Sequence, residues 1–268
     1  TATNTSTTHS FWYGGASGAI RSNGDITIQA GNTSGATGTW GLTMYGGRSI
    51  QSTGGNVSIT ARGTSSGIWV DSSASSIVAG NSFTDPTAGG NLTINATGQS
   101  HYGMQMPGGS LVAHGNINLT STGGLEGAYI YGTGLFRANG HINIHATSTT
   151  TTNWALYLDS SRLVQSTAGD ITITANGGYG MYISGGGIVA GNDSTAPTSG
   201  GSVSISATTT GSHSDGAGLR MDTASTRILA WNDITIFANA ASAGMNGSAG
   251  NGHGVLMWGS NQVIRSFN

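Results

Sequence analysis

Residues 169–191 read GDITITANGGYGMYISGGGIVAG, three short alternating runs separated by glycine-rich corners. Successive side chains on a strand leave opposite faces. Ile171 and Ile173 therefore point one way while Asp170, Thr172 and Thr174 point the other. Met181 and Ile183 oppose Tyr182, and Ile188 and Ala190 oppose Val189. Three strands thus turn one apolar edge each towards a shared interior, which predicts one coil of a parallel β-helix.

The first run recurs along the chain as GDITIQA from Gly24, GNVSITA from Gly55, GNLTINA from Gly90 and GNINLTS from Gly115. It continues as GHINIHA from Gly140, GDITITA from Gly169, GSVSISA from Gly201 and NDITIFA from Asn232. The starts lie 31, 35, 25, 25, 29, 32 and 31 residues apart, so constant strands are joined by corners of variable length. Each heptad is followed by a run of small-apolar-x-apolar form, such as Gly67-Ile-Trp-Val70 or Ala155-Leu-Tyr-Leu158. A shorter third run ends in a small inward residue, as in Ile77 and Ala79 or Val164 and Ser166. Repeats of this kind stack into one quasi-linear unit. The expectation is all-β: a right-handed parallel β-helix of about nine three-stranded coils, a single domain over residues 1–268, roughly 43 Å long at about 4.8 Å per rung. The corner from Gly80 to Gly90 has a close copy from Gly191 to Gly201, which points to duplication of whole coils. Longer insertions at 31–39, 147–153, 208–217 and 239–252 are expected to decorate one edge of the rod.

Glycine is abundant at 47 residues and charged residues make up only 7%, but strict period-two alternation opposes disorder. All eight basic residues are arginine and the net charge is −2, so nothing steers towards nucleic acid. No apolar stretch approaches the roughly 20 residues that span a bilayer. Cysteine is absent, which excludes disulfides and cysteine-ligated metal. The chain stops at Ser266-Phe267-Asn268, where the next heptad would start, and we expect a piece of a longer protein.

The outward positions of the second run carry the functional signal. Trp12, Tyr45, Trp69, Tyr129, Tyr131, Tyr157, Tyr182 and Trp258 fall on one face. Aromatic side chains concentrate at recognition surfaces because they bring large contact area with little rotamer entropy to lose. They also form stabilising cross-strand ladders, and both readings are open at this point. Asp71, Asp159 and Asp222 share one place just after the second run, where a carboxylate can bond turn amides. The same repetition marks Asp25, Asp170 and Asp233 as corner residues. Carboxylates two rungs apart would come near the spacing used in glycoside hydrolysis. A polysaccharide-degrading enzyme is therefore an alternative, weakened by dispersed acids and the lack of lysine. His141 and His145, about 13 Å apart along a strand, are too distant for one metal ion. Neither a catalytic constellation, a metal site nor a cofactor is expected. The short polar residues facing out of the first run, such as Thr27, Thr93 and Thr172, are too often interrupted for a flat ice-binding array and read as a solvated ladder.

The alternation of GDITITA-like, GYGMYIS-like and GGIVAG-like runs resembles the repeat region of large bacterial exoproteins of the filamentous haemagglutinin type, which include contact-dependent growth-inhibition effectors. The resemblance covers nearly the whole chain. It implies two-partner secretion through an outer-membrane transporter and display at the bacterial surface. It further implies a filament that projects adhesive segments towards a cell-surface receptor or glycan. No counterpart of the family's NPNG-like and NPNL-like secretion motifs is present, which assigns the chain to the filament or to a receptor-binding segment within it. The candidate binding residues are Trp12, Tyr45, Trp69, Asp71, Tyr129, Tyr131, Tyr157, Asp159 and Tyr182. A purely structural stalk is the alternative.

Overall fold

The computed structural model describes residues 2–3, 9–31, 39–160, 162–211, 217–240 and 253–268. Among them are three parallel sheets of nine strands, each strand paired with its counterpart one coil away. The chain is a right-handed parallel β-helix of about nine coils. One coil runs through Ile142–Ser148 in the first sheet, Trp154–Leu158 in the second and Leu163–Ser166 in the third. The next repeats the order with Ile171–Gly177, Tyr179–Ser184 and Gly187–Ala190.

Register is constant along the rod. Ile142 pairs with Ile171 and Ile171 with Val203; Tyr129 pairs with Tyr157 and Tyr157 with Tyr182. The varying repeat length is thus absorbed in the corners, and equivalent side chains form continuous columns. Inside, the columns of Ile, Val, Leu, Met and Ala merge into one apolar core, in which Phe136 is the largest fully buried apolar side chain. Burial of such side chains is what drives a coil to stack on its neighbour.

A polar ladder and close backbone approach lock the corners. At the second heptad position each side chain accepts the backbone amide of its equivalent one coil further on. Asp25 Oδ1 receives Asn56 N–H at 2.7 Å, Asn56 Oδ1 receives that of Asn91 at 2.8 Å, and Asn91 Oδ1 that of Asn116 at 2.8 Å. The ladder continues through Asn116 to His141 at 2.7 Å, His141 to Asp170 at 3.0 Å and Asp170 to Ser202 at 2.8 Å. Asp25 and Asp170 are therefore corner residues as expected, but they secure the next coil rather than their own turn. At the entry to the second sheet, glycine is imposed by proximity. A Cβ on Gly41 would lie 2.5 Å from Gly67 O, and one on Gly103 2.5 Å from Gly127 O, inside any normal contact.

The third sheet has its outer face covered. Its outward column includes Gln51, Val78, Val112, Val189 and Leu229, all buried although the four apolar ones stand outside the interior core. Corner 80–90 lies over this face. Gln51 donates to Gly80 O at 3.0 Å, Arg137 pairs with Asp85 at 3.0 Å, and Asn139 donates to Pro86 O at 2.7 Å. Arg21 stands 6.0 Å from the Phe83 ring. The second corner repeats the build: Asn192 Oδ1 accepts the Thr198 and Ser199 amides as Asn81 Oδ1 accepts those of Thr87 and Ala88. Gln165 donates to Gly191 O at 2.9 Å, as Gln51 does to Gly80 O. Insertion 147–153 packs on the neighbouring coil through Thr149 N–H to Gly123 O at 2.9 Å. The other three insertions expected at the rod's edge fall largely on 32–38, 212–216 and 241–252, outside the described residues.

Candidate functional site

The second sheet presents a different outer surface. Three columns of outward side chains run along it, two of them set by the period of two. The middle column carries Trp12, Thr43, Trp69, Gln105, Tyr129, Tyr157, Tyr182 and Arg220. The following column carries Tyr45, Asp71, Tyr131, Asp159 and Asp222. The preceding column, three residues before the middle one, carries Trp40, Tyr102, Glu126, Trp154 and Tyr179. Sequence reading stopped at the small residue that opens the second run and so missed this third column. Strict alternation would give Trp40, Tyr102 and Trp154 the inward parity of Leu42, Met104 and Leu156, so the period of two does not announce this column.

The rings gather in two groups. Near the N-terminus His9 stacks on Trp40 with centroids 4.9 Å apart, and Trp40 tilts against Trp69 at 5.3 Å. With Trp12, Thr43 and Tyr45 they line a hollow of about 340 Å³. Trp12 and Tyr45 stand 64% and 51% exposed, so its rim is open to solvent. Trp69 Nε1 is buried without an acceptor. His9 Nδ1 lies 3.0 Å from Thr43 Oγ1, and burial lowers the pKa of the imidazole.

In the middle of the rod the second group forms a continuous strip. Tyr102 stacks on Tyr129 at 5.4 Å, Tyr129 on Tyr131 at 4.5 Å, and Tyr157 on Tyr182 at 4.5 Å. Tyr129 meets Tyr157 edge-on at 4.9 Å, and Trp154 leans on Tyr179 and Tyr182 at 4.9 and 5.3 Å. Gln105 separates the two groups in the middle column, and no ring contact joins them among the described residues. Of the predicted binding residues, the structure brings Trp12, Tyr45 and Trp69 together in the first group. Tyr129, Tyr131, Tyr157 and Tyr182 meet in the second.

Electrostatics distinguish the strip. Glu126, the only glutamate, sits partly buried between Tyr102 and Trp154 in the preceding column, and burial raises its carboxyl pKa. Its Oε2 is buried without a hydrogen-bond partner. Burial, then Glu126 and Tyr131, raise the Tyr102 phenol. Burial, then Tyr182 and Asp159, raise that of Tyr157 far more. The phenols of Tyr102, Tyr129, Tyr157 and Tyr182, all raised mainly by burial, thus stay protonated and serve as donors as well as ring faces. Asp159 Oδ1 accepts the Ser160 amide at 2.6 Å, the corner role expected of it. Asp222 does something else: it accepts the Tyr182 hydroxyl at 3.1 Å and Arg220 Nη2 at 2.8 Å.

Behind the strip lies Arg162, buried to 1% exposure. Its guanidinium donates to Gly109 O and to Tyr131 O, both at 2.8 Å, and burial pulls its pKa down to about 10. It ties the corners between second and third sheets across three coils. Arg48 holds the equivalent place, RSIQS against RLVQS, and donates to Gly14 O at 2.6 Å as Arg162 does to Tyr131 O; the intervening coils carry no arginine there.

No protein family, curated protein or solved structure matches the chain significantly. The fold stands on its own geometry as a parallel β-helix, and the reading of its function rests on the surface just described.

Proposed function

We propose that this chain is a non-enzymatic recognition segment of a large secreted bacterial surface protein of the filamentous haemagglutinin type. Its aromatic face would contact a receptor or glycan on another cell. The observation that carries the proposal is the contrast between faces. The chain folds its own corners over the apolar outer positions of the third sheet, whereas the rings on the second sheet range from half-buried to largely exposed. A rigid row of tyrosines and tryptophans with donor hydroxyls is suited to binding, because little side-chain freedom is lost on contact.

A structural stalk is the second reading, favoured by the stacking of the rings on one another, which by itself supports the sheet. The two readings separate in a cell-binding assay. Labelled protein should bind one cell type saturably, and Tyr129→Ser, Tyr157→Ser and Tyr182→Ser together should abolish that binding while parallel-sheet circular dichroism persists. A folded triple variant that still binds, or wild-type protein that binds no cell, sinks the recognition assignment.

A further inference from the structure

Two parts of the molecule show how this chain handles a guanidinium beside a tyrosine. Arg220 lies 5.7 Å from the Tyr182 ring and 5.9 Å from that of Trp258, and it bonds Asp222 at 2.8 Å. Arg48 lies 5.0 Å from the Tyr13 ring. At the C-terminal end of the strip the site therefore consists of ring faces, a carboxylate and a cation, all supplied by the chain itself.

One coil earlier and beyond, the same elements recur without the cation. Tyr102, Tyr129, Tyr131 and Tyr157 offer ring faces, and Glu126 and Asp159 offer carboxylates on either side of them. Among the described residues no arginine or histidine pairs with either carboxylate, and Arg162 is committed to backbone carbonyls. Glu126 Oε2 is buried with no donor. A carboxylate with one oxygen stripped of water and left unpaired is costly, and a cation beside it offsets that cost. Tyrosine faces attract cations through the ring quadrupole, and a planar guanidinium both stacks on a ring and forks onto a carboxylate.

We propose that the strip from Tyr102 to Tyr157 takes an arginine side chain presented by a basic segment of a partner polypeptide, with Glu126 as its counter-ion. This rests on the recognition reading above and gives its ligand a chemical class. A polypeptide fits the site because the strip is a line of rings along successive coils, matched by an extended segment with side chains repeating on one side. The raised carboxyl of Glu126 fits as well, since a bound cation would restore its charge.

The test is anisotropy of a fluorescently labelled Gly-Arg-Gly-Arg-Gly peptide on the whole chain at low salt. The neutral citrulline version and spermidine serve as competitors. We expect saturable binding, weakened about tenfold or more by citrulline for arginine, which removes charge but keeps shape. Glu126→Gln should weaken it by about as much while its melting midpoint does not fall. Equal binding of the citrulline peptide, unchanged binding by Glu126→Gln, or no saturation overturns the proposal. Full displacement by spermidine at equal concentration overturns the polypeptide as source. Cell binding is measured on the same preparations. If cells bind but the peptide does not, only the cation assignment fails; if neither binds, the recognition reading fails with it.

Discussion

The outer faces of the second and third sheets are built on the same rungs, yet they are finished in opposite ways. On the third, Val78, Val112, Val189 and Leu229 point away from the core and are nonetheless buried, bracketed by corners 80–90 and 191–201. On the second, aromatic side chains in equivalent outward positions lean on one another and keep a solvent-facing side. An outward apolar residue covered by the chain's own loop adds to stability, whereas one left partly bare is available to a partner. The difference separates the face that holds the rod together from the face that can be used.

That separation is best broken by the same kind of change on each side. Val112→Asp should cost about 3–5 kcal/mol, because it places an unpaired charge under the covering corner. Tyr157→Ser should cost only about 1–2 kcal/mol, the loss of two ring contacts at a half-exposed site. Denaturant midpoints of the two variants measure the gap; equal losses would mean that the second face is structural as well. Between the two in size is Arg162→Leu. It leaves the carbonyls of Gly109 and Tyr131 buried without a donor, at about 2–4 kcal/mol, and should lower the midpoint without altering the exposed rings.

The smallest effect is the sharpest. Burial raises the folded-state pKa of Glu126 above its ordinary 4.5, so between those values the folded form holds more proton than the unfolded form. This group's contribution is therefore most favourable below pH 4.5, declines as pH rises through the window up to the raised pKa, and is flat above it. Glu126→Gln should remove that decline and be no less stable than wild type at pH 7. Thermal melts across the pH range check it. Lower stability of Glu126→Gln at pH 7 would show the carboxylate to be a structural partner rather than an uncompensated group.

Much of the architecture could be read from residues alone, because eight heptads with aligned isoleucines, valines and alanines leave one way for the coils to stack. Tyr129, Tyr157 and Tyr182 were legible for the same reason, sitting between paired apolar residues in successive repeats. Glu126 and Trp40 were not, because each has the parity of the inward apolar pair that follows it, and strict alternation would turn it towards the core. The partners of Asp25, Asn56 and Asn91 were hidden too: repetition reveals a corner, but only stacking shows that the bonded amide belongs to the next coil. Asp222 has the sequence setting of Asp159 yet serves Tyr182 and Arg220, since the arginine two residues before it reaches the carboxylate first.

The most direct test of the two-face account is cell binding measured side by side for wild type, Tyr157→Ser and Phe83→Ser, the last altering the loop on the covered face. The account predicts saturable binding that Tyr157→Ser weakens by about tenfold, in line with loss of a central aromatic contact, and that Phe83→Ser leaves unchanged. Loss of binding with Phe83→Ser while Tyr157→Ser binds like wild type would contradict it and move the recognition surface to the third sheet.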